Sequence, residues 1–352
     1  MNLIPVFQNR DYTARIIKPN VTYTVDRLSD NAIGGSKRCD ISVSGSKQDC
    51  WEFVEYLGCP VTVFDEVGRG AWMGYVHEFK ASNDGAKLYC RGWWDRTSWR
   101  YYLNSGTNSV ATTTQIAAII TNMSPFITAT DIDASGTAVP STLETRDGKR
   151  RGMEEIEELL KAGTTNGKRL LCRVKESRRL FIYEEPASSA VDDLVLTGDI
   201  EFGASLDTMV NKMWAIWTSP GGGDAHNTAV SSDADSVALY GEKSEAVNLS
   251  AADATLAVQA RDAELARRKL PIPTITVKSG VVSNYFGIPW PGYMVKAGQW
   301  LRLKDVIPQS VDVTGIADIS KIFMEEVEWS RTGGLRITPR DIPGRYQGGN
   351  LS

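Results

Sequence analysis

The sequence predicts a β-rich α+β fold divided among several domains. Short runs of alternating hydrophobic and polar residues recur along the chain, and helical periodicity is confined to a few segments. The chain has 352 residues, more than one hydrophobic core usually organises. Hydrophobic residues make up 42 % and charged residues 23 %, as in ordinary globular proteins. We therefore expect three domains, over residues 1–105, 106–190 and 191–352.

Residues 1–105 are predicted to form a small sheet that packs against one helix. Alternation with period two predicts strands over residues 21–25, 39–43, 60–64, 71–80 and 87–94. Between residues 48 and 57 the hydrophobic side chains are spaced three or four apart, which indicates a helix, and Ser46 is placed to cap it. The simplest arrangement of these elements is a sheet that buries one face against this helix.

Residues 106–190 are predicted to form a compact α+β unit. Its first helix is expected to carry an apolar stripe of Ile116, Ile119, Ile120 and Met123. The predicted elements are, in order, a helix capped by Thr113 or Thr114, a helix over residues 152–161 ended by Gly163, and a hairpin of residues 170–174 and 179–183 turning near Glu176 and Ser177.

Residues 191–352 are predicted to contain more strands and the longest helix of the chain. That helix is rich in alanine, so it can pack closely against a sheet or another helix. The predicted elements are strands 213–217 and 237–240 around the flexible glycines 221–223, a helix over 251–268 started by Ser250 with Asp253 and ended by Pro271, strands 300–303, 322–329 and 335–338, and a mobile tail over 344–352.

The charge and the apolar runs of the sequence exclude several functional classes. The net charge of −4 and the pI of about 5.5 argue against tight binding of nucleic acid, since such domains are usually strongly basic. No apolar run approaches the roughly 20 residues that span a membrane. The N-terminus lacks the basic and apolar regions of a secretory signal, so we expect the chain to be made in the cytosol.

The residues that usually carry catalysis or bind metals are scarce. The chain has five cysteines, none in a C-x-x-C pair, and only His77 and His226, so we predict reduced buried thiols and no metal site. The common nucleophile, phosphate-loop and metalloprotease motifs are absent. The carboxylates Glu184/Glu185 and Glu325/Glu326 are adjacent in sequence, and since adjacent residues of a strand point to opposite faces, neither pair by itself supplies the geometry of a glycosidase. We therefore predict no enzyme activity, no catalytic residue and no cofactor.

An aromatic stretch over residues 92–102 supplies the candidate site of the sequence. Its rings and arginines suit a protein interface, where Trp, Tyr and Arg are enriched. Three interpretations stay open: a plug at a domain junction, a subunit interface, and a platform that stacks on sugars. The candidate interface residues are Trp93, Trp94, Arg96, Trp99, Arg100 and Tyr101.

The order of several short motifs resembles the baseplate hub proteins of bacteriophage tails. Each motif by itself is short, and the resemblance depends on their order along nearly the whole chain. The motifs are residues 59–64 before Gly70-Ala71-Trp72-Met73-Gly74-Tyr75-Val76, the strand 88–94, the Thr-capped helix with paired isoleucines, residues 209–214, Tyr240-Gly241 before the Ala-rich helix that ends at Lys269-Leu270-Pro271, the strand 295–302, and a closing hairpin over 324–338.

The resemblance implies an architecture and a role. It implies two tail-tube-like β-barrel domains with an inserted α+β domain, and a ring of three chains whose six barrels adapt a sixfold tube to a threefold tip. Such a hub closes or extends the tail tube at the virion tail tip, is assembled in the bacterial host cytoplasm, and lets DNA pass on genome ejection without tight binding. The implied partners are the tail tube or distal tail protein, the tape measure protein and a fibre, spike or tip protein.

Two alternatives remain. The chain could be a hexameric distal tail ring protein, or a carbohydrate-binding or carbohydrate-cleaving module that uses Trp93, Trp94 and Trp99. For a hub, we expect the channel surface to be neutral or acidic, because Lys and Arg contacts to phosphates would hold the genome. Arginines such as Arg96, Arg100, Arg178 and Arg179 are then expected at contacts with other chains or beside carboxylates.

Overall fold

The predicted β-rich α+β fold class is confirmed. Most strands belong to one large mixed sheet, and two smaller sheets are separate from it. The computed structural model of the chain describes residues 2–101, 106–107, 112–123, 126–132, 144–145, 150–161, 169–175, 178–187, 194–207, 209–218, 223–250, 254–284, 286–304 and 321–339. No helix in these ranges is long and apolar enough to cross a membrane.

The first barrel is an antiparallel sheet that curves around its own core. Its strands follow the order β3-β4-β7-β6-β5-β1-β2, and residues such as Ile41, Val61 and Leu88 fill the interior. Every strand predicted in this region is present. The elements are β1 (Ile4–Gln8), β2 (Arg15–Ile16), β3 (Thr22–Asn31), β4 (Ile33–Ser44), α1 (Lys47–Trp51), β5 (Pro60–Phe64), β6 (Gly70–Ser82) and β7 (Gly85–Arg91).

Two details of this barrel differ from the prediction. Ser46 caps α1 as expected, with its Oγ accepting a hydrogen bond from the Asp49 backbone at 3.1 Å, but the helix tightens into a 3₁₀ segment, Glu52–Tyr56. Strand β7 ends at Arg91 rather than at residue 94. The reason is Gly92, where an added Cβ would lie only 1.6 Å from the Ser36 carbonyl oxygen, so the backbones meet and the chain turns.

The α+β unit packs two helices on a hairpin. The helices bury Ile116, Ile119, Ile156 and Leu159 against β11 and β12, which pair antiparallel as predicted. Its elements are β8 (Gly106–Thr107), α2 (Thr112–Met123), β9 (Ala129–Ile132), β10 (Glu144–Thr145), α3 (Gly152–Lys161), β11 (Leu170–Val174) and β12 (Arg179–Glu184). Strand β11 also pairs in parallel with β4, which joins this unit to the first barrel.

The predicted second helix, residues 152–161, is confirmed as α3. The predicted cap of the first helix is wrong. Helix α2 begins at Thr112, so Thr113 and Thr114 lie inside its first turn, where Thr113 is buried. The side chain of Met123 and the predicted turn residues Gly163, Glu176 and Ser177 lie outside the described residues.

The second barrel is built from the strand that begins at Leu194 and from the strands that follow residue 271. Strands β18-β13-β19-β20-β21 follow one another, and β18 also lies beside β21, so the sheet encloses a core that includes Leu196, Leu301 and Val327. Strand β20 pairs with β3, which makes one continuous sheet of the two barrels. The strands are β13 (Leu194–Ser205), β18 (Ile272–Asn284), β19 (Trp300–Leu303), β20 (Lys321–Ser330) and β21 (Gly334–Pro339).

A small unit is inserted between β13 and β18. It packs α5 on a separate sheet around Val210, Met213 and Leu265. Its elements are β14 (Lys212–Thr218), β15 (His226–Asn227), β16 (Ser231–Ser232), α4 (Ala234–Tyr240), β17 (Ser244–Ser250) and α5 (Ala254–Arg268). The Ala-rich helix therefore packs on a sheet, as its composition allows. The domain boundaries at 105/106 and 190/191 stay a prediction.

Two predictions about this inserted unit are wrong. Residues 237–240 belong to helix α4, because Asp233 caps it by accepting a hydrogen bond from the Ser236 backbone at 3.0 Å, and Gly241 ends it with a φ of 79°. Ser250 ends strand β17 and the helix begins at Ala254, so Ser250 is not its cap. The end of the Ala-rich helix before Pro271 is confirmed. The predicted glycines 221–222, the predicted helix start over 251–253 and the predicted tail over 344–352 lie outside the described ranges.

Candidate functional site

Trp93 and Trp94 lie at the junction between the first barrel and the α+β unit. They belong to a 3₁₀ segment, Trp93–Trp99, that follows β7. Their side chains are 4 % and 8 % exposed and pack in the same cluster as the isoleucines of α2 and the leucines of α3. These two indoles therefore hold two units of the same chain together and offer little surface to another molecule.

The Arg96 side chain is held between aromatic rings. Its guanidinium carbon lies 3.8 Å from the ring centre of Tyr75, 3.9 Å from that of Trp99 and 4.4 Å from that of Phe126. Burial lowers the pKa of Arg96. Because a desolvated cation over aromatic rings gains about 2 kcal/mol, the stack fixes the orientation of the segment.

Asp95 forms a second set of contacts next to the Arg96 stack. It accepts hydrogen bonds from the Tyr75 hydroxyl, from Arg91 at 2.8 Å and from the Trp99 indole at 3.2 Å. Burial by itself would raise the pKa of Asp95, but these hydrogen bonds outweigh it and the pKa is lowered. The segment that carries the candidate residues is thus rigid in the folded chain.

The six candidate interface residues divide into a buried and an exposed group. The buried group is Trp93, Trp94 and Arg96, and the exposed group is Trp99, Arg100 and Tyr101. Trp99 and Tyr101 are 50 % and 52 % exposed, and the Arg151 guanidinium lies 5.8 Å from the Tyr101 ring centre. A role for the six in subunit contacts stays a prediction, and only the exposed group has surface to offer.

A polar surface extends across both barrels. Strands β6, β7, β4, β3, β20 and β21 are neighbours in one continuous sheet, and alternate residues such as Ile41, Leu88 and Val327 point into the cores. None of the large exposed hydrophobic residues in the described part of the chain lies on these six strands. The outward residues, which we call the polar face, include Arg27, Lys37, Arg38, Asp40, Glu78, Lys80, Lys87, Tyr89, Arg91, Glu326, Glu328 and Arg336.

Five of the seven cations named on the polar face are paired with carboxylates. The pairs are Arg27 with Glu328, Lys37 with Glu326 at 2.8 Å, Arg38 with Asp40 at 2.8 Å, Lys80 with Glu78 at 3.1 Å, and Arg91 with Asp95 at 2.8 Å. Exposed ion pairs of this kind contribute little to stability, typically about 0 to 1 kcal/mol each. Their main physical effect is on the surface potential, because each pair cancels the charge of its own cation.

A depression of about 540 Å³ on the polar face has the volume of a ligand pocket, but not its lining. Ligand pockets combine apolar walls with a few convergent polar groups. This depression is lined mainly by the paired charged side chains, together with His77 and Tyr89. The lining is that of a charged surface rather than of a pocket for a small molecule.

Asp30 connects the two barrels and the α+β unit. Its carboxylate on β3 pairs with Arg173 on β11 and accepts a hydrogen bond at 3.0 Å from the backbone of Ala297, which precedes β19. The neighbouring Lys296 donates to the Ala71 carbonyl of β6, and burial lowers the pKa of this lysine. Asp30 is 5 % exposed, so these charges meet in a nearly dry junction.

A second ion pair strengthens the same junction. Arg169, next to β11, donates to both carboxylate oxygens of Glu325 on β20 at 2.9 Å. Burial by itself would lower the pKa of Arg169, but the hydrogen bonds to Glu325 raise it. The adjacent Glu326 pairs with Lys37 on the polar face, so the two carboxylates have separate partners, as strand alternation predicts.

The histidines and cysteines lie in different parts of the fold. His77 lies on β6 with its ring 6.0 Å from that of Tyr75, and His226 is exposed on β15 beside Trp217. All five cysteines are free and buried, as expected. Among the described residues no three His, Cys, Asp or Glu side chains are grouped so that they could hold a metal ion.

Solved structures similar to this one include tail proteins. The tail protein from Neisseria meningitidis MC58 is similar with a TM-score of 0.61 and 13 % identity over 100 % of both chains. The 43 kDa tail protein of prophage MuSo2 from Shewanella oneidensis is similar with a TM-score of 0.58 and 14 % identity over 96 % of this chain and 98 % of that one. This chain has the fold of bacteriophage tail proteins.

A third similar structure agrees with the hub type of this fold. It is the E. coli c3393 protein, a component of the type VI secretion system that resembles the T4 tail proteins gp27 and gp5. The TM-score is 0.51, with 11 % identity over 94 % of this chain and 77 % of that one. The predicted resemblance to tail hub proteins is thus confirmed for the fold. No model of a protein family and no curated protein sequence matches the chain.

The polar face and the Asp30 junction were not predicted from the sequence. Both are assembled by strand pairs that are distant in sequence, such as Glu326 opposite Asn31. Within single strands the pattern of the polar face was visible, because charged residues alternate with buried ones in β4 and β20. The sequence did not show which strands pair with each other.

Proposed function

We propose that this chain is a structural protein of a phage tail tip, where three copies form a hub ring. The observation that carries the proposal is the pair of barrels joined by β20 and β3 into one sheet. Three such chains around an axis present six barrels, which suits a sixfold tail tube above and a threefold tip below. Because the contact that joins the barrels lies within one chain, the ring needs three subunits instead of six.

The polar face supports a channel through this ring. A surface that spans both barrels without large exposed hydrophobic residues is suited to water rather than to protein contacts. Five of its seven named cations are paired with carboxylates, so a passing duplex would gain little by exchanging its counterions for them. We propose that this face lines the channel and that DNA passes along it during ejection without tight binding.

The remaining parts of the proposal follow from this position in the virion. The ring would contact the tail tube or distal tail protein on one side and a fibre, spike or tip protein on the other, with the tape measure protein ending in the channel. We place it at the virion tail tip after assembly in the bacterial cytoplasm, with no enzymatic step of its own. The exposed residues Trp99, Arg100 and Tyr101 are its candidate subunit contacts.

The two alternative functions receive less support from the geometry. A hexameric distal ring needs only one barrel from each chain, whereas this chain supplies two cores. A sugar platform needs exposed ring faces, but Trp93 and Trp94 are buried and one face of Trp99 is covered by Arg96. The hub ring is therefore the function that the described geometry supports best.

Native mass spectrometry over a range of protein concentrations tests the ring and its contacts. We expect a species of three chains for the wild type. Tyr101→Asp places a charge at an exposed aromatic side chain of the candidate contact and should remove that species. Val230→Asp, on the inserted unit and similarly exposed at 55 %, should retain it. Loss of the species in both variants, or in neither, would refute the contact. A wild type that stays monomeric, also within isolated tails, would refute the ring.

A further inference from the structure

Two of the five cysteines face each other across neighbouring strands inside the first barrel. Cys39 on β4 is directly opposite Cys90 on β7, and both are 0 % exposed. Burial raises the pKa of the Cys39 thiol, and the neighbouring Cys90 thiol adds to the rise. The two sulfur atoms are therefore neighbours in a closed apolar core, and neither is needed for any contact described above.

The strand register allows these two sulfur atoms to bond. Gly92 donates its backbone N–H to Lys37 at 3.0 Å, and since the pattern repeats every two residues, Cys39 and Cys90 form a hydrogen-bonded pair. The Cα atoms of such a pair are about 5.5 Å apart. Disulfides span Cα distances of about 4.4 to 6.8 Å. The Cβ atoms of Cys39 and Cys90 must move closer by roughly 1 Å to reach the separation found in disulfides. The bond would therefore be strained and easily reduced.

We propose that Cys39 and Cys90 are a redox-active pair that forms a reversible disulfide once the protein meets an oxidising medium. The oxidant is a low-molecular-weight disulfide. One cysteine thiolate attacks it, forms a mixed disulfide and releases one thiolate of the oxidant. The second cysteine then displaces the other, so that two protein thiols lose two electrons and two protons while one external disulfide becomes two thiols.

The position of the pair determines what the bond would do. It would connect β4 to β7 and close a loop that contains α1, β5 and β6, which restricts the unfolded chain and stabilises the barrel. No other two cysteines are opposite each other in the strand registers of the described residues. Because both thiols are sealed in the core, the reaction requires transient opening of the strands and is slow in the folded state.

The test is a map of disulfide bonds in the full chain. The wild type is incubated with oxidised glutathione, with and without urea below the unfolding transition, then alkylated and digested without reduction. We expect one internal bond, Cys39 to Cys90, formed faster in urea. Formation of the bond lowers the mass of the chain by that of two hydrogen atoms and raises the melting temperature by a few degrees. A mild thiol reverses both changes. Only mixed disulfides with glutathione, or bonds that do not select this pair, would refute the proposal.

Matched variants separate the pair from general oxidation. Cys90→Ala should abolish the internal bond and leave Cys39 as a mixed disulfide, whereas Cys172→Ala, which changes another buried cysteine, should keep the bond. An internal bond that persists in Cys90→Ala would refute the proposal. If Cys90→Ala does not fold, the map of the wild type still decides. Neither outcome depends on whether the chain forms a ring, since the bond lies within one barrel.

Discussion

Replacing Asp30 by alanine removes the charge on which the three-way junction depends. The variant loses the charge-assisted hydrogen bond from Arg173, worth about 1.5 to 3 kcal/mol. It also leaves the buried N–H of Ala297 without its acceptor, which costs about 1 to 3 kcal/mol. Since Lys296 and Arg173 would then lie at the junction without this carboxylate, we expect a total loss of about 3 to 5 kcal/mol of unfolding free energy.

Urea unfolding, followed by far-ultraviolet circular dichroism, measures this loss. The matched control is Asp40→Ala, which removes a carboxylate from the adjacent strand whose partner Arg38 is 47 % exposed, and it should cost at most about 1 kcal/mol. A double-mutant cycle of Asp30→Ala with Arg173→Met isolates the pair, and we expect a coupling above about 1 kcal/mol. If Asp30→Ala costs no more than the control, or if the coupling is near zero, the junction is not held by these charges.

Two further predictions concern protonation and DNA. Burial lowers the pKa of His77 below its ordinary value of 6.5, so the unfolded chain binds a proton more readily than the folded chain does. The folded state therefore loses stability as the pH falls from 6.5 through the pKa of His77 in the folded chain. The urea midpoint of His77→Gln should fall less than that of the wild type over this interval; an equal fall would contradict the prediction. Changing Glu326 and Glu328 to glutamine releases Lys37 and Arg27, so duplex DNA should bind the ring in filter assays with a steep salt dependence. The control, in which Glu52 and Glu242 become glutamine and release two lysines elsewhere, should not bind, and binding by the wild type at physiological salt would refute neutral passage.

The elements that the sequence predicted correctly are those whose signal is local. Strand Pro60–Phe64 and helix Gly152–Lys161 have the predicted bounds, because a period of two or of 3.6 is visible within a short window. Residues 237–240 were predicted incorrectly because four consecutive apolar residues fit a strand or a helix equally well. The deciding signal was Asp233, a helix cap just outside that window.

The elements that the sequence missed depend on distant pairing. Strands β13 and β18 form a long antiparallel pair in which Leu194 is opposite Asn284, but glycine and polar residues interrupt their alternation. The same difference separates the two parts of the candidate site. The aromatic stretch is recognisable in the sequence because its aromatic residues are close together along the chain. The polar face requires Arg27 to pair with Glu328, which is 301 residues away in sequence. Burial of Trp93 and Trp94 was one of the open interpretations and became evident only with the helices placed over them.

In the proposed assembly, three chains form a ring whose channel is lined by the polar face. A cryo-electron microscopy reconstruction of the purified assembly, or of the tail tip that contains it, shows this arrangement directly. We expect a threefold axis, six barrels around a channel, and the ion pairs of Lys37 with Glu326 and Arg38 with Asp40 at the channel wall. A sixfold ring with one barrel of each chain at the channel, or a polar face covered by a neighbouring subunit, would contradict it.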